Sequence, residues 1–101
     1  MSDIVIVMGT VRVDPEAIER LRPAMETMMA ASRAEDGCLT YAYALDLLEP
    51  GLVRVSELWT DRAALQAHFQ TPHMATWRAA LAGQVRDRDI KLYEADDGES
   101  F

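Results

Sequence analysis

Apolar and polar positions along this chain follow two periods, and the period changes at residues that turn a backbone. Over residues 4–13, IVIVMGTVRV is rich in β-branched side chains, and Val11 and Val13 flank Arg12, which reads as a strand. Asp14-Pro15-Glu16 then offers an N-cap, a proline at the first helical position and an acid in the first turn. Ile18, Leu21, Met25, Met28, Met29 and Ser32 recur at helical spacing, which predicts an amphipathic helix over 15–35, with Gly37 as a left-handed stop.

The period then drops to two. In CLTYAYALDLL, residues 38–48, Leu39, Tyr41, Tyr43 and Leu45 alternate with small or polar residues, so a strand with two unlike faces is expected. Glu49-Pro50-Gly51 makes a tight turn, and LVRVSELW at 52–59 returns with Val53, Val55, Glu57 and Trp59 on one face. Thr60-Asp61 caps a second helical region that runs to Gln70, breaks and restarts at Thr71-Pro72, and stops at Gly83. A last strand is expected over 88–94, with 95–101 as a frayed polar tail.

The resulting order is βαββαβ, an α+β class in which helices cover one face of a ferredoxin-like, four-stranded antiparallel sheet, all within one domain spanning 1–101. IVIVM at 4–8 is apolar on both parities, yet the chain has helices for only one sheet face. The least costly cover for the other face is a second copy of the same sheet, so a homodimer is expected, with Ala42 and Ala44 permitting close approach.

Charge and composition narrow the partners. A net charge of -7 over 101 residues opposes binding to polyanions, which excludes nucleic acid and anionic membrane surfaces as expected partners. The longest apolar run falls far short of the ~20 residues of a membrane span, and no basic segment precedes it as in a signal peptide. The single cysteine, Cys38, forms no internal disulfide, which fits a cytoplasmic protein.

Candidate chemistry gathers around the second helical region. Leu65, His68 and Phe69 stand at i, i+3 and i+4, so His68 faces inward, either as a hydrogen-bonded packing residue or as a functional group. Glu57 sits among the large apolar residues of its strand, where a carboxylate must be paired, hydrogen-bonded or protonated; His68 and Glu57 could satisfy each other. His73 falls in the first turn after Pro72, where the helix dipole disfavours a charged ring, and Trp77 lies on a buried stripe with Met74 and Leu81. No metal site is expected, because the two histidines straddle a helix break with no acid or cysteine cluster to complete a ligand set. Phosphate loops, nucleophile elbows and dinucleotide fingerprints are lacking.

Four segments in fixed order, Asp36-Gly37-Cys38-Leu39-Thr40-Tyr41, Glu57-Leu58-Trp59-Thr60-Asp61, Ala64-Leu65-Gln66-Ala67-His68-Phe69 and Thr71-Pro72-His73, resemble the antibiotic biosynthesis monooxygenase (ABM) domain family. The resemblance implies a dimeric α/β barrel and, for the small stand-alone type, oxidation of a quinol or polycyclic phenol by molecular oxygen with no cofactor: neither flavin, haem nor metal. It points to His68 as base with Glu57 as its hydrogen-bonding partner, and to Tyr41 and Trp59 as aromatic walls. Tyr43, Phe69, Met25 and Met29 are further candidate lining, and His73 and Trp77 complete the candidate substrate contacts. The family also holds haem-degrading enzymes and an isomerase of a sugar-phosphate derivative. Two other readings therefore stand beside the monooxygenase: an isomerase or proton-shuttling enzyme using Arg78 or Arg86 for a phosphate, and a non-catalytic small-molecule binding or stress protein.

Overall fold

The computed structural model describes residues 3–101. Its elements are β1 (Ile4–Val13), α1 (Ile18–Arg33), β2 (Cys38–Leu45), β3 (Leu52–Trp59), α2 (Arg62–Phe69), α3 (Pro72–Leu81) and β4 (Val85–Ala95). All strand pairs are antiparallel, in the order β2-β3-β1-β4, which is the ferredoxin-like arrangement expected.

Local chemistry decides where each element starts and stops. The Asp14 carboxylate accepts from the Glu16 N–H, but residues 15–17 form a short 3-10 turn, so the α-helix proper begins three residues later than expected. It ends at Arg33 rather than 35, before Gly37 takes φ 83°. A side chain at Gly37 would press its Cβ to 2.6 Å from that of Ala64, so both the backbone angle and the close approach of α2 demand glycine. Strand β2 is shorter than the expected 38–48 because Asp46 turns the chain: its Oδ2 accepts from the N–H groups of Leu48 and Glu49, at 3.0 and 2.9 Å. Strand β4 is longer than the expected 88–94. Its start hides in the charged run Val85–Asp89, which carries no apolar alternation and becomes a strand by pairing with β1.

Odd-numbered residues of β1 and β3 face the helices. There Val5, Val11, Val53, Val55 and Trp59 meet Leu21 and Met28 of α1, Leu65 of α2 and Trp77 of α3, all buried. Each such side chain contributes roughly 1.5–3 kcal/mol from burial, which makes this layer the energetic centre of the fold. Gly9 of β1 lies where a Cβ would come within 1.9 Å of the Asp89 backbone oxygen, so a side chain there would push β4 off the sheet.

Among the described residues no helix covers the other face. Ile6 and Leu58 are only half-buried on it, while Met8 and Tyr93 are 53% and 49% exposed. Leu39 sits at a register shift in β2 and is exposed, leaving the Tyr41 parity to which it was expected to belong. Among the described residues no helix is long and apolar enough to cross a membrane.

Candidate active site

Two caps place the histidines. Asp61 accepts from the Ala64 N–H at 2.8 Å and starts α2, on which Leu65 and His68 turn inward; His68 is 1% exposed. Thr71 ends that helix and opens the next: its hydroxyl donates to the His68 carbonyl at 2.8 Å and accepts from the Met74 N–H at 3.4 Å. The break therefore fixes His73, one residue into α3, at a set offset from His68.

Both rings turn to one acid, and it is not Glu57. His68 Nδ1 lies 2.6 Å and His73 Nε2 2.7 Å from Oε2 of Glu35, which sits on the turn between α1 and β2. With Nδ1–H donating to this carboxylate, the neutral His68 ring presents Nε2 as a lone pair. That Nε2 is buried and has no hydrogen-bond partner. Burial lowers the His68 pKa below its ordinary 6.5, although Glu35 pulls it back upward.

Glu57 occupies the position expected on β3, 5% exposed, but its partner is Trp59, whose Nε1–H donates to Oε1 at 3.0 Å. Burial raises its pKa to about 7, with a smaller upward push from the Glu35 charge. The usual order of a carboxylic acid and an imidazole is thereby inverted. Below about pH 7 Glu57 retains its proton, while burial favours the uncharged ring of His68, so an acid and a base share the layer.

His68 and Glu57 both line a cavity of about 380 Å³ between sheet and helices. Its floor is Val7, Val11, Val53 and Ile90, and its roof is Leu21, Met25, Met74, Trp77 and Leu81, with Tyr43, Phe69, Arg78 and Arg88 completing the wall. That volume suits a fused aromatic ring system. Tyr43, Phe69, Met25 and Trp77 are therefore where substrate contacts were expected.

Tyr41 and Trp59 are not cavity walls. They are 1% and 0% exposed and stand behind His68, their ring centroids 5.2 and 4.7 Å from its own, where they hold the imidazole in place. Met29 faces a separate surface groove with Arg22 and Leu45, and His73 faces another with Thr27 and Thr76. Burial pushes the pKa of Tyr41 and of Tyr43 upward, so neither phenol is a base. Sequence spacing missed Glu35 because it lies 33 residues from His68, in the turn between α1 and β2. The acid thought absent from a ligand set is therefore present: Glu35, His68 and His73 hold their donor atoms within 4.8 Å of one another. Of the two arginines weighed for a phosphate, Arg78 reaches the cavity, but Arg86 pairs with Asp14 at 3.1 Å and does not.

Comparison with known proteins agrees with this architecture. Residues 4–80 match the family model described as antibiotic biosynthesis monooxygenase. Rv0793 of Mycobacterium tuberculosis, provisionally named a monooxygenase, is 32% identical over 91% of this chain and 89% of its own length. YgiN of Escherichia coli, provisionally named a quinol monooxygenase, is 32% identical over 59% of this chain and 65% of its own length. A crystal structure from Deinococcus radiodurans, provisionally named an antibiotic biosynthesis monooxygenase, superposes with a TM-score of 0.85 at 33% identity, covering 96% of this chain and 97% of that one. With its fold and the matched span in agreement, this chain belongs to the antibiotic biosynthesis monooxygenase family.

Proposed function

We propose that the chain is a cofactor-independent monooxygenase that oxidises a polycyclic phenol or quinol with molecular oxygen. The observation that carries this reading is the buried Nε2 of His68, unpartnered on a ring that lines the cavity while its Nδ1 is held by Glu35. An unsatisfied buried acceptor costs about 1–3 kcal/mol, and a substrate hydroxyl is the group that would satisfy it. The quinol-oxidising name of YgiN supports the substrate class.

The chemistry follows from a phenolate being a one-electron donor. His68 Nε2 takes the phenol proton, and the imidazolium formed is stabilised by the Glu35 carboxylate at Nδ1. The phenolate gives one electron to oxygen, and the radical pair combines at a ring C–H carbon, para to the hydroxyl in a phenol or ortho to one in a quinol, forming a C–O bond. Glu57, protonated below about pH 7, donates to the distal oxygen as the O–O bond breaks, and the ring carbon loses its hydrogen as a proton. One oxygen atom ends as the new carbonyl of a quinone and the other leaves as water, so substrate and oxygen balance without an added reductant. The apolar wall keeps bulk water from the radical pair.

Oxygen uptake with a panel of naphthols, anthrols and quinols tests this reading. His68→Ala should retain the circular dichroism of the parent while losing about 10²-fold or more in turnover. Equal turnover in the variant, or no uptake with any phenol, would overturn it. Arg78 and Arg88 on the cavity wall favour the isomerase reading, which predicts thermal stabilisation by phosphate.

We also propose that two copies pair through the bare sheet face. Ile6, Met8, Leu58 and Tyr93 supply its apolar surface, and Ala42 sets a small residue among them.

A further inference from the structure

We propose that Glu35, His68 and His73 bind a single divalent transition ion of the zinc type behind the cavity, and that the ion converts His68 from a proton acceptor into a proton donor. Three separate elements, the turn after α1, the end of α2 and the start of α3, bring one carboxylate oxygen and two imidazole nitrogens to one point. Their donor atoms lie within 4.8 Å of one another. One oxygen and two imidazoles suit zinc-class ions better than magnesium or calcium, which prefer oxygen ligands throughout.

An ion at about 2.0–2.2 Å from each donor sets them about 3.0–3.5 Å apart. The present contacts of 2.6 and 2.7 Å thus widen by less than about 1 Å. Glu35 has that freedom, because it lies outside any helix or strand. The His73 side chain is 20% exposed, so ion and water reach the site from solvent, whereas His68 at 1% is the anchor. The chain's net charge of -7 raises the local concentration of cations.

The consequence concerns the two nitrogens of one ring. The ion takes the Nδ1 lone pair of His68, so the neutral ring releases its proton from Nδ1 and takes one up on Nε2. Nε2 then becomes the proton-bearing nitrogen of the cavity-lining ring, and base catalysis as proposed above stops. This last clause alone rests on the monooxygenase reading.

The test uses untagged protein stripped with chelator. Cobalt(II) titration should give visible d–d absorption that saturates at one ion per chain, and zinc should displace it. His73→Ala and Glu35→Gln, each checked for parental circular dichroism, should weaken binding at least about 10-fold. Nitrogen-15 spectra of the imidazoles should show the His68 proton move from Nδ1 to Nε2 when zinc is added. Absence of a saturable one-per-chain spectrum, or affinity unchanged in both variants, overturns the site; an unmoved His68 proton overturns the conversion. None of these readouts needs a substrate, so failure of every phenol to consume oxygen would count against the monooxygenase reading alone.

Discussion

The two faces of this sheet are made from alternate residues of the same strands, yet they do opposite things. On the covered face, Trp59 and Tyr41 are sealed against His68, and a cavity that His68 and Glu57 share opens between sheet and helices. On the bare face, Met8 and Tyr93 are exposed, and Ala42 stands opposite Ser56. Reactive groups therefore appear where burial can shift their proton affinities, and association is expected where it cannot. A carboxyl group such as Glu57 would titrate normally on the bare face; its raised pKa belongs to the covered layer.

Substitutions can break this contrast. Trp59→Ala has the largest expected effect, because it removes a 0% exposed ring, the brace of His68 and the hydrogen bond to Glu57 at once. A loss of about 3–5 kcal/mol in urea unfolding is expected, with activity falling in parallel. Ala42→Glu addresses the opposite face. If two copies pair there, light scattering should show monomer or aggregate, since an unpaired buried charge costs about 3–5 kcal/mol. An unchanged mass would show that this face is solvent-exposed in solution, and stability should then move by no more than about 0.5 kcal/mol.

Glu57→Gln sharpens the contrast more gently. The folded carboxyl titrates at about 7, above its ordinary 4.5, so its stabilising contribution is complete below pH 4.5 and is lost as pH rises through 7. The glutamine variant keeps a neutral acceptor for Trp59 and lacks that loss. It should match the parent near pH 4.5 and exceed it by roughly 3 kcal/mol at pH 8. Parallel stability curves across that range would mean that Glu57 ionises as it would on the bare face.

Much of this was legible from residue order. The hairpin partner of β2, the broken second helical region and the inward turn of His68 and Glu57 all follow from periods of two and 3.6 and from caps at Asp61 and Thr71. Period alone misjudged β2, because Leu47 and Leu48 continue the apolar run while the Asp46 carboxylate bends the backbone out of the sheet. It also misjudged β4, whose charged first residues are held as a strand by β1 and not by their own preference.

The sequence by itself determined the βαββαβ order, the family, and which side of each element is apolar, since these depend on neighbours within about one turn of chain. Only the tertiary structure decided the partners of His68. Spacing placed it in the same layer as Glu57, but a sheet residue two positions from Trp59 finds that indole nearest, and the turn between α1 and β2 delivers Glu35 to the imidazole. Hydrogen bonds of 2.6–3.0 Å are chosen by differences of an ångström between elements distant in sequence, and no periodicity carries that information.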